Sequence, residues 1–438
     1  MSPHSTDRIV AISTAAGAAA IGVVRLSGPG SKETLESLCR RSAGEPRRTR
    51  VRTLSGPDDG QPIDQAMVWW APAPDTFTGD EMVELHAHGN PAVLDALVDA
   101  CVRLGARPAE PGEFTRRALL AGKLDLSRAE AVLAAVDATS LAGARAAVRV
   151  LDGELARSVD GVRRALLEAA AALEASIDHE DDVGEPIDAA MIDQVSRASG
   201  QIGRLATGVR AAGRLVAGAD VVILGPVNAG KSTLLNRLVG QERAIVHPEP
   251  GTTRDVVTGE RELAGVRVRF HDTAGIRPVA GEVEGEGMRR AEALRARATC
   301  VLFVLDATRP DEGRPAPGDL VVVNKVDAAP SPPSLPKSAV AVSALTGEGI
   351  DGLEARLEAV VGGGDDVAGT LLWTQRQGAA AARAAIQLKE ARAELARGEY
   401  GPAATEIGDA LRSLDELLGI DPSEAVLDEL FARFCVGK

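Results

Sequence analysis

The chain has 438 residues, enough for two or three domains, of which 45% are hydrophobic and 26% charged. This balance is ordinary for a soluble globular protein. The formal net charge of −14 argues against a broadly basic surface for nucleic acid.

The cysteines and the hydropathy indicate neither a metal centre nor a membrane protein. The four cysteines lack the spacing of metal ligands, and the sequence contains no signal peptide and no apolar run of membrane-spanning length. We therefore expect a cytoplasmic protein without membrane association. Cys300 lies in an apolar run and is expected in a core, whereas Cys435 is either a functional thiol or a packed one.

The first 123 residues mix short strands and helices. Apolar runs predict strands at residues 8–12, 21–26, 66–70 and 81–85, and residues 92–103 predict a helix. This pattern is typical of a compact α+β domain. A local cluster of arginines interrupts it, for which a solvated loop is favoured over a nucleic-acid-binding patch. The cluster comprises Arg40, Arg41, Arg47, Arg48, Arg50 and Arg52.

Residues 124–217 and 366–438 are predicted to form two parts of one helical domain. Apolar residues recur at spacings of three and four, which predicts one buried face of a long helix. Further helices are expected at 196–216, 374–397 and 403–418, and at Asp421-Pro422-Ser423-Glu424, where Asp421 is the expected cap. Helices on both sides predict that residues 218–365 are an inserted domain. The apolar residues of the buried face of the long helix, called the seam below, are Leu151, Leu155, Val159, Val162, Leu166, Ala169 and Leu173.

The predicted inserted domain begins with a phosphate-binding motif. Residues 225–232 match the pattern G-x-x-x-x-G-K-S/T between an apolar strand and a helix-forming stretch. Its glycines let backbone N–H groups surround phosphate oxygens. Lys231 is expected to reach the outer phosphates and Ser232 to bind Mg²⁺.

Three further motifs follow in the order of a GTP-binding domain: Asp272-Thr273-Ala274-Gly275, Asn324-Lys325-Val326-Asp327 and Ser343-Ala344. Asp327 can accept two guanine protons that adenine does not offer, and Ser343-Ala344 would present backbone N–H to the guanine oxygen. The motifs predict a P-loop GTPase domain with a doubly wound mixed sheet. The predicted nucleotide-binding residues are Asn228, Ala229, Gly230, Lys231, Ser232, Thr233, His247, Thr252, Thr253, Asp272, Thr273, Ala274, Gly275, Asn324, Lys325, Asp327, Ser343 and Ala344.

The residue that orients the attacking water is not the usual one. Many small GTPases place Gln directly after the Asp-Thr-Ala-Gly motif, but this chain has Ile276 there. The acidic stretch 281–287 could supply a carboxylate that orients the water instead, although Glu282 and Glu286 are expected to be solvated. Residues 251–255 are the expected first switch, in which Thr253 binds Mg²⁺ opposite Ser232.

Motifs spread over nearly the whole chain resemble those of the MnmE (TrmE) family of tRNA modification GTPases. They include residues 21–28, Phe77-Thr78-Gly79-Asp80-Glu81, residues 84–89, residues 107–115 and the terminal Phe434-Cys435-Val436-Gly437-Lys438. The joining of this terminal motif to an upstream GTPase cassette is very specific.

The resemblance implies a folate-binding domain that also dimerises (1–123), a helical domain (124–217 and 366–438) and an inserted GTPase domain (218–365). It implies a heterotetramer with a flavoprotein of the MnmG (GidA) type, which modifies C5 of the tRNA wobble uridine; direct contact with tRNA stays open. Implied cofactors are Mg²⁺, K⁺ and a 5-formyl or 5,10-methylene tetrahydrofolate.

The resemblance also implies particular site residues. Glu284 would orient the attacking water. The K⁺ ligands would be Asn228, Thr252 and the backbone carbonyls of His247 and Glu249. The folate-binding residues would be Arg25, Glu84, Lys123 and Lys438.

The chain departs from the family pattern at several places. The loop His247-Pro248-Glu249-Pro250 is unusual, and the connection between Asp306 and Leu320 is too short and proline-rich for a full crossover helix.

Two alternative functions stay open from the GTPase motifs alone. One is an assembly GTPase, which would lack the N-terminal and terminal motifs, and the other is a scaffold with an inactive site, which intact Lys231, Ser232 and Asp272 disfavour.

Overall fold

The structure is a computed structural model that describes residues 7–178, 189–240, 259–272, 292–329, 338–362, 372, 374–420 and 422–438. The chain divides into two compact units: Met1–Leu133 with Asp415–Lys438, and Ala134–Leu414. Among the described residues, no helix is long and apolar enough to cross a membrane.

The N-terminal region forms one six-stranded sheet of order β3-β4-β5-β2-β1-β6. Its pairs are antiparallel except β1 with β6. The strands are β1 (Ile9–Ile12), β2 (Ala19–Ser27), β3 (Arg50–Ser55), β4 (Pro62–Ala71), β5 (Met82–Gly89) and β6 (Arg107–Pro108). The helices are α1 (Ser31–Cys39), α2 (Pro91–Arg103) and α3 (Glu113–Leu120).

One face of this sheet is buried in the domain core, and the other is partly open. Val24, Leu85 and Val68 alternate inward and pack with residues of α1 and α2, such as Leu38 and Leu97. The predicted strands and the helix at 92–103 are confirmed. The expectation of a loop throughout the arginine cluster is wrong at its end, because Arg50 and Arg52 alternate with Val51 and Thr53 along β3 and pair with β4.

The helical segments are α4 (Leu126–Asp137), α5 (Leu141–Leu151), α6 (Glu154–Asp178), α7 (Ala189–Ala217), α10 (Gln375–Arg397), α11 (Tyr400–Leu418) and α12 (Glu424–Phe431). The seam is buried along α6, but Leu151 ends the preceding helix because Gly153, at φ 80°, separates the two. The helix after 421 begins at Glu424 with Ser423 as its N-cap, while Asp421 lies outside the described residues.

The inserted region is a six-stranded sheet of order β12-β11-β10-β7-β9-β8, parallel except at β8. Its strands are β7 (Ala219–Leu224), β8 (Gly259–Leu263), β9 (Val266–Asp272), β10 (Cys300–Asp306), β11 (Leu320–Asn324) and β12 (Val340–Ala341). Helices α8 (Lys231–Val239) and α9 (Ile350–Gly362) pack into one apolar core with these strands, which includes Cys300 as expected.

The connection from β10 to β11 contains no helix, which confirms the expectation from its length and prolines. Instead it lies against the sheet. A Cβ added at Gly313 would come within 3.2 Å of the side chains of Phe303 and Leu305 and 3.0 Å of Pro226 in the phosphate loop. A coil therefore covers part of the sheet where a parallel crossover usually places a helix.

Candidate nucleotide site and N-terminal polar site

The phosphate loop joins the end of β7 to the start of α8, and two glycines allow its close packing. Gly225 (φ 140°) would place a Cβ 2.1 Å from the Val304 carbonyl oxygen, and Gly230 (φ 90°) would place one 2.2 Å from Asn324 Nδ2. Neither position can hold a side chain without movement of its neighbours. The loop thus delivers backbone N–H groups at the N-terminus of α8, where an anion is favoured.

Lys231 is buried within the loop that it is expected to serve. Its Nζ donates to the carbonyl oxygens of Gly225 at 2.9 Å and Pro226 at 2.7 Å. Burial lowers the pKa of Lys231, and the charge of Asp272 partly opposes that shift. Exchange of these neutral carbonyls for phosphate oxygens would give the ammonium a stronger electrostatic partner.

Of the two residues expected to bind Mg²⁺, Thr253 lies outside the described residues and Ser232 lies beside Asp272. Ser232 Oγ donates to Asp272 Oδ2 at 2.7 Å, and Asp272 is buried at the end of β9. A hydroxyl and a carboxylate are hard oxygen ligands of the kind Mg²⁺ prefers, so this pair fits the ion. Asn228, in the left-handed region at φ 65°, and Thr233 are exposed, and Ala229 is buried.

Asn324 connects the phosphate loop to the loop after β12. Its Nδ2 donates to the Ala229 carbonyl at 2.9 Å, and its Oδ1 accepts from Ala344 N at 2.9 Å. Ser343 N donates to the carbonyl of Glu348. Both predicted base-facing N–H groups thus donate within the protein.

The two remaining residues of this motif differ in exposure. Lys325 is held by Asp306 at the end of β10, with Nζ 2.6 Å from Oδ2, and burial of Asp306 is outweighed by Lys325 and Thr308, which lower the pKa of that carboxyl. Asp327 is exposed on the short 3₁₀ turn that follows. Its carboxylate is therefore accessible to a base.

The other predicted residues of the nucleotide site lie outside the described residues. They are His247, Glu249, Thr252, Thr253, Thr273, Ala274, Gly275 and Glu284.

The N-terminal sheet carries a second polar site on its open face. Arg25, Glu84 and Trp69 are neighbours across β2, β5 and β4. Glu84 accepts from Arg25 Nη2 at 2.8 Å and Trp69 Nε1 at 3.0 Å, and lies 3.1 Å from His86 Nε2. Burial would raise the pKa of Glu84, but the charge of Arg25 and these hydrogen bonds outweigh it and lower the pKa.

The terminal residues dock beside this site. Gly437 O accepts from Ser13 Oγ at 3.0 Å and lies 3.5 Å from Arg25 Nη1, and Lys438 O accepts from Phe114 N at 3.1 Å. Cys435 is exposed. Arg25 also lies over the Phe114 ring. The structure thus brings Arg25, Glu84 and the backbone of Lys438 together.

Lys123 lies beside Gly79, and within the described residues no hydrogen bond or ion pair joins it to Arg25, Glu84 or Lys438. A Cβ at Gly79 would lie 3.6 Å from Lys123 Cε, and the preceding Thr78 is hydrogen-bonded to Ser27, two residues after Arg25 on β2. Sequence reasoning missed Trp69, His86 and Ser13. The period-two alternation of β4 and β5 could have placed Trp69 and His86 on the face of Glu84.

The fold and the first of these sites define a P-loop GTPase domain inserted into a helical domain that follows an α+β domain. Residues 8–123 match the family described as GTP-binding protein TrmE N-terminus, and residues 126–435 match the MnmE helical domain. The chain belongs to the MnmE family of tRNA modification GTPases. The helical-domain match includes both flanks of the inserted domain; the exact boundaries at 123, 217 and 365 stay predictions.

Curated relatives align over nearly the entire chain. A tRNA modification GTPase MnmE of Paramagnetospirillum magneticum is 42% identical over 99% of this chain and 100% of its own length. The protein of the same description from Xanthomonas campestris is 39% identical over 99% of both chains. Among solved structures, a variant of Aquifex aeolicus Era matches 39% of this chain and 66% of its own with 27% identity and a TM-score of 0.26.

Proposed function

We propose that this GTPase is stimulated by K⁺ and acts with an MnmG (GidA)-type flavoprotein in a heterotetramer. The reaction installs an aminomethyl or carboxymethylaminomethyl group at C5 of the tRNA wobble uridine, with a tetrahydrofolate derivative as the one-carbon source. The observation that carries the folate step is the docking of residues 437–438 beside Arg25 and Glu84.

The polar site on the N-terminal sheet has the chemistry that a folate needs. The glutamate tail of a folate requires cations, which Arg25, Lys123 and Lys438 provide. The pterin presents N–H donors, for which the ionised Glu84 is an acceptor because its lowered pKa keeps it charged at neutral pH. When bound, the folate supplies the carbon unit; the protein residues bind and orient it.

Truncation tests the folate proposal. Full-length protein should bind 5-formyltetrahydrofolate in calorimetry, and deletion of residues 436–438 should abolish both folate binding and wobble modification while GTP binding persists. Val436→Ala is the matched control, because the Val436 side chain is exposed and only its backbone bridges Pro111. Full modification by the truncated chain, measured by nucleoside mass spectrometry of tRNA from a complemented deletion strain, contradicts the proposal.

GTP hydrolysis is proposed to use Lys231 and Ser232 on the phosphates and their Mg²⁺, and Glu284 to orient water. K⁺ held by Asn228, Thr252 and the carbonyls of His247 and Glu249 would stabilise charge in the transition state. Hydrolysis should be much faster in KCl than in NaCl, and equal rates would exclude a role for K⁺.

The role of Glu284 has two neighbouring controls. Glu284→Ala should lower kcat with little change in GTP affinity, whereas Glu282→Ala and Glu286→Ala should retain activity. Loss of kcat in a control variant instead would assign the role to that residue. For base selection, Asp327→Asn should shift preference from GTP towards xanthosine triphosphate, since the amide replaces one acceptor by a donor.

A homodimer through the N-terminal domain is supported by exposed apolar side chains on the open face of the sheet. Val51 pairs with Met67 in register, and Val51, Met67 and Ile21 are 56%, 43% and 53% exposed. Met67→Asp should therefore weaken the dimer in light scattering, while Val102→Asp on α2 should not. A dimer that is unaffected by Met67→Asp would remove this face from the interface.

A further inference from the structure

Arg237 of helix α8 binds the backbone of the loop that follows β12. Its Nε donates to the Ala344 carbonyl at 3.1 Å, and its Nη2 donates to the Leu345 carbonyl at 2.5 Å. A Cβ built at Gly347 would lie 3.7 Å from its Nη1, so the loop curves around the guanidinium. One side chain thus fixes two consecutive peptide units in the segment that carries the predicted guanine contacts.

The position of Arg237 links this loop to the phosphate site. Helix α8 begins at Lys231, directly after the phosphate loop, and Arg237 lies in its last turn. The helix is seated in the apolar core of the sheet by Leu234, Leu235 and Leu238. The same helix therefore presents backbone N–H groups to phosphates at its start and holds the loop after β12 near its end.

The two carbonyl contacts also determine where backbone N–H groups of the loop point. The peptide bond is planar and trans, so its N–H is directed opposite to its carbonyl. Because the Ala344 carbonyl is turned toward Arg237, the N–H of Leu345 is turned away from the guanidinium. In the next peptide unit, Thr346 N donates to Ser343 Oγ. The loop therefore holds the Leu345 N–H in a defined direction.

The N–H of Leu345 also differs from its neighbours in hydrogen bonding. Ala344 N donates to Asn324 Oδ1 and Ser343 N donates to the Glu348 carbonyl, both at 2.9 Å. Within the part of the chain that the structure describes, no acceptor bonds to Leu345 N, and this residue is 73% exposed. Backbone donors are normally paired with protein, water or ligand. A donor that is fixed in direction and open to solvent is available to a ligand.

We propose that Arg237 is a positioning residue for the guanine base, and that the Leu345 N–H which it orients donates to the oxygen at C6 of guanine. The inference rests on the predicted recognition of guanine by this loop and moves the donor from residues 343–344 to residue 345. Adenine carries an amino group at C6, so the contact favours guanine. A loop that is ordered before binding loses less entropy on binding, and the nucleotide is released more slowly.

Substitution of one ligand atom tests the proposal. Full-length Arg237→Ala and wild type are compared in the release of fluorescent GDP and in affinity for GDP and 6-thio-GDP. The thio analogue keeps the protons that face Asp327 but replaces the oxygen by sulfur, a weaker acceptor. Arg237→Ala should release GDP at least about fivefold faster. It should also reduce the preference for GDP over 6-thio-GDP at least about threefold, whereas a merely structural loss would weaken both nucleotides equally.

Two variants and one direct measurement complete the test. Arg237→Lys keeps the charge but lacks the planar fork that reaches two carbonyls, so it should resemble Arg237→Ala. Arg356→Ala removes an exposed arginine of α9 and should leave release and preference unchanged. In residue-resolved hydrogen exchange, GDP should slow the Leu345 amide of the wild type at least about tenfold. Equal melting temperatures establish that the variants are folded.

The outcomes separate this role from guanine recognition as a whole. An unchanged preference in Arg237→Ala, wild-type behaviour of Arg237→Lys, or a Leu345 amide that GDP does not protect overturns the proposal. Equal effects in Arg356→Ala overturn it as well. If the wild-type chain binds ADP as tightly as GDP, both this proposal and the predicted recognition of guanine by Asp327 are wrong.

Discussion

Replacement of Asn324 by alanine should uncouple the phosphate loop from the loop that follows β12. The side chain is 2% exposed and makes two hydrogen bonds, one to Ala229 in the phosphate loop and one to Ala344 after β12. Ala229 and Ala344 are themselves buried, so water cannot easily replace the lost amide. Each buried group left without a partner costs about 1–3 kcal/mol, which predicts a local loss of about 2–6 kcal/mol.

Hydrogen exchange measured by mass spectrometry can localise this loss. Peptides that cover residues 225–240 and 340–350 should exchange faster in Asn324→Ala, because exchange reports the free energy of local opening. GDP affinity should fall at least about tenfold, since about 1.4 kcal/mol corresponds to a factor of ten. In Asn324→Asp, the bond from Ala344 N is retained but a carboxylate oxygen faces the Ala229 carbonyl, so the phosphate-loop peptide should be affected more than the other.

Asn236→Ala is the matched control for this experiment. Asn236 is exposed on α8, where alanine favours the helix slightly. Its exchange and GDP affinity should remain close to those of the wild type. If Asn324→Ala leaves both peptides and GDP affinity unchanged, the reasoning that Asn324 joins the two loops is wrong.

Three further predictions concern charged pairs. Asp220 accepts from Arg269 and His271; the Arg269 hydrogen bond, against an opposing effect of burial, lowers the pKa of Asp220 from 3.8 to about 2. Because the pKa of Asp220 is lower in the folded than in the unfolded protein, its ionised carboxylate stabilises the fold at pH values above the unfolded pKa, and this stabilisation is lost as pH falls through 2. After allowance for solvent exposure the contribution is about 1–2 kcal/mol. Asp220→Asn should therefore flatten the dependence of thermal stability on pH between about pH 4 and 2. An unchanged curve would exclude this linkage. Asp306 forms an ion pair with Lys325, so Asp306→Asn should weaken GDP binding. The same substitution should have little further effect when Lys325 is already replaced by alanine. Additive losses of GDP affinity in this double-mutant cycle would show that Asp306 acts independently of Lys325. Glu84→Gln should weaken 5-formyltetrahydrofolate binding about tenfold without altering GDP affinity. Glu262→Gln on β8 is the control and should leave both affinities unchanged. Calorimetry that shows full folate affinity for Glu84→Gln would contradict the role of Glu84 as a hydrogen-bond acceptor.

The local sequence pattern was sufficient to predict those helices, strands and loops that are defined by a motif or by residues adjacent in the sequence. The strand that leads into Gly225, the helix that begins at Lys231 and the coil between β10 and β11 were all predictable from glycines, apolar runs and prolines. Strand β3 was not, because arginines at two of its positions resemble a solvated segment. Only the pairing of Arg50 with Val68 and Arg52 with Ala66 reveals it as an edge strand.

The sites were predictable to the extent that chemistry follows local motifs. The proximity of Lys231, Ser232 and Asp272 could be predicted because the phosphate-loop and strand-end motifs place them at the same edge of the sheet, whereas their roles stay predictions. The contacts of Asn324 with Ala229, 95 positions away, and of Gly437 with Ser13, 424 positions away, could not. Long-range contacts depend on how sheets and helices pack, which the local sequence does not encode.

The division of the chain has a consequence for its synthesis. Residues 415–438 belong to the same compact unit as residues up to 133, and the whole of Ala134–Leu414 is translated between them. At about 5–20 residues per second, the nascent N-terminal sheet waits roughly 15–60 s for the helix and terminal residues that complete its unit. During that interval the surfaces of Gly112 and Leu126 that later contact Phe434 and Gly419 have no permanent cover. The ribosome-bound chain therefore presents an unfinished first domain, and we expect it to depend on a chaperone until the final turn has emerged.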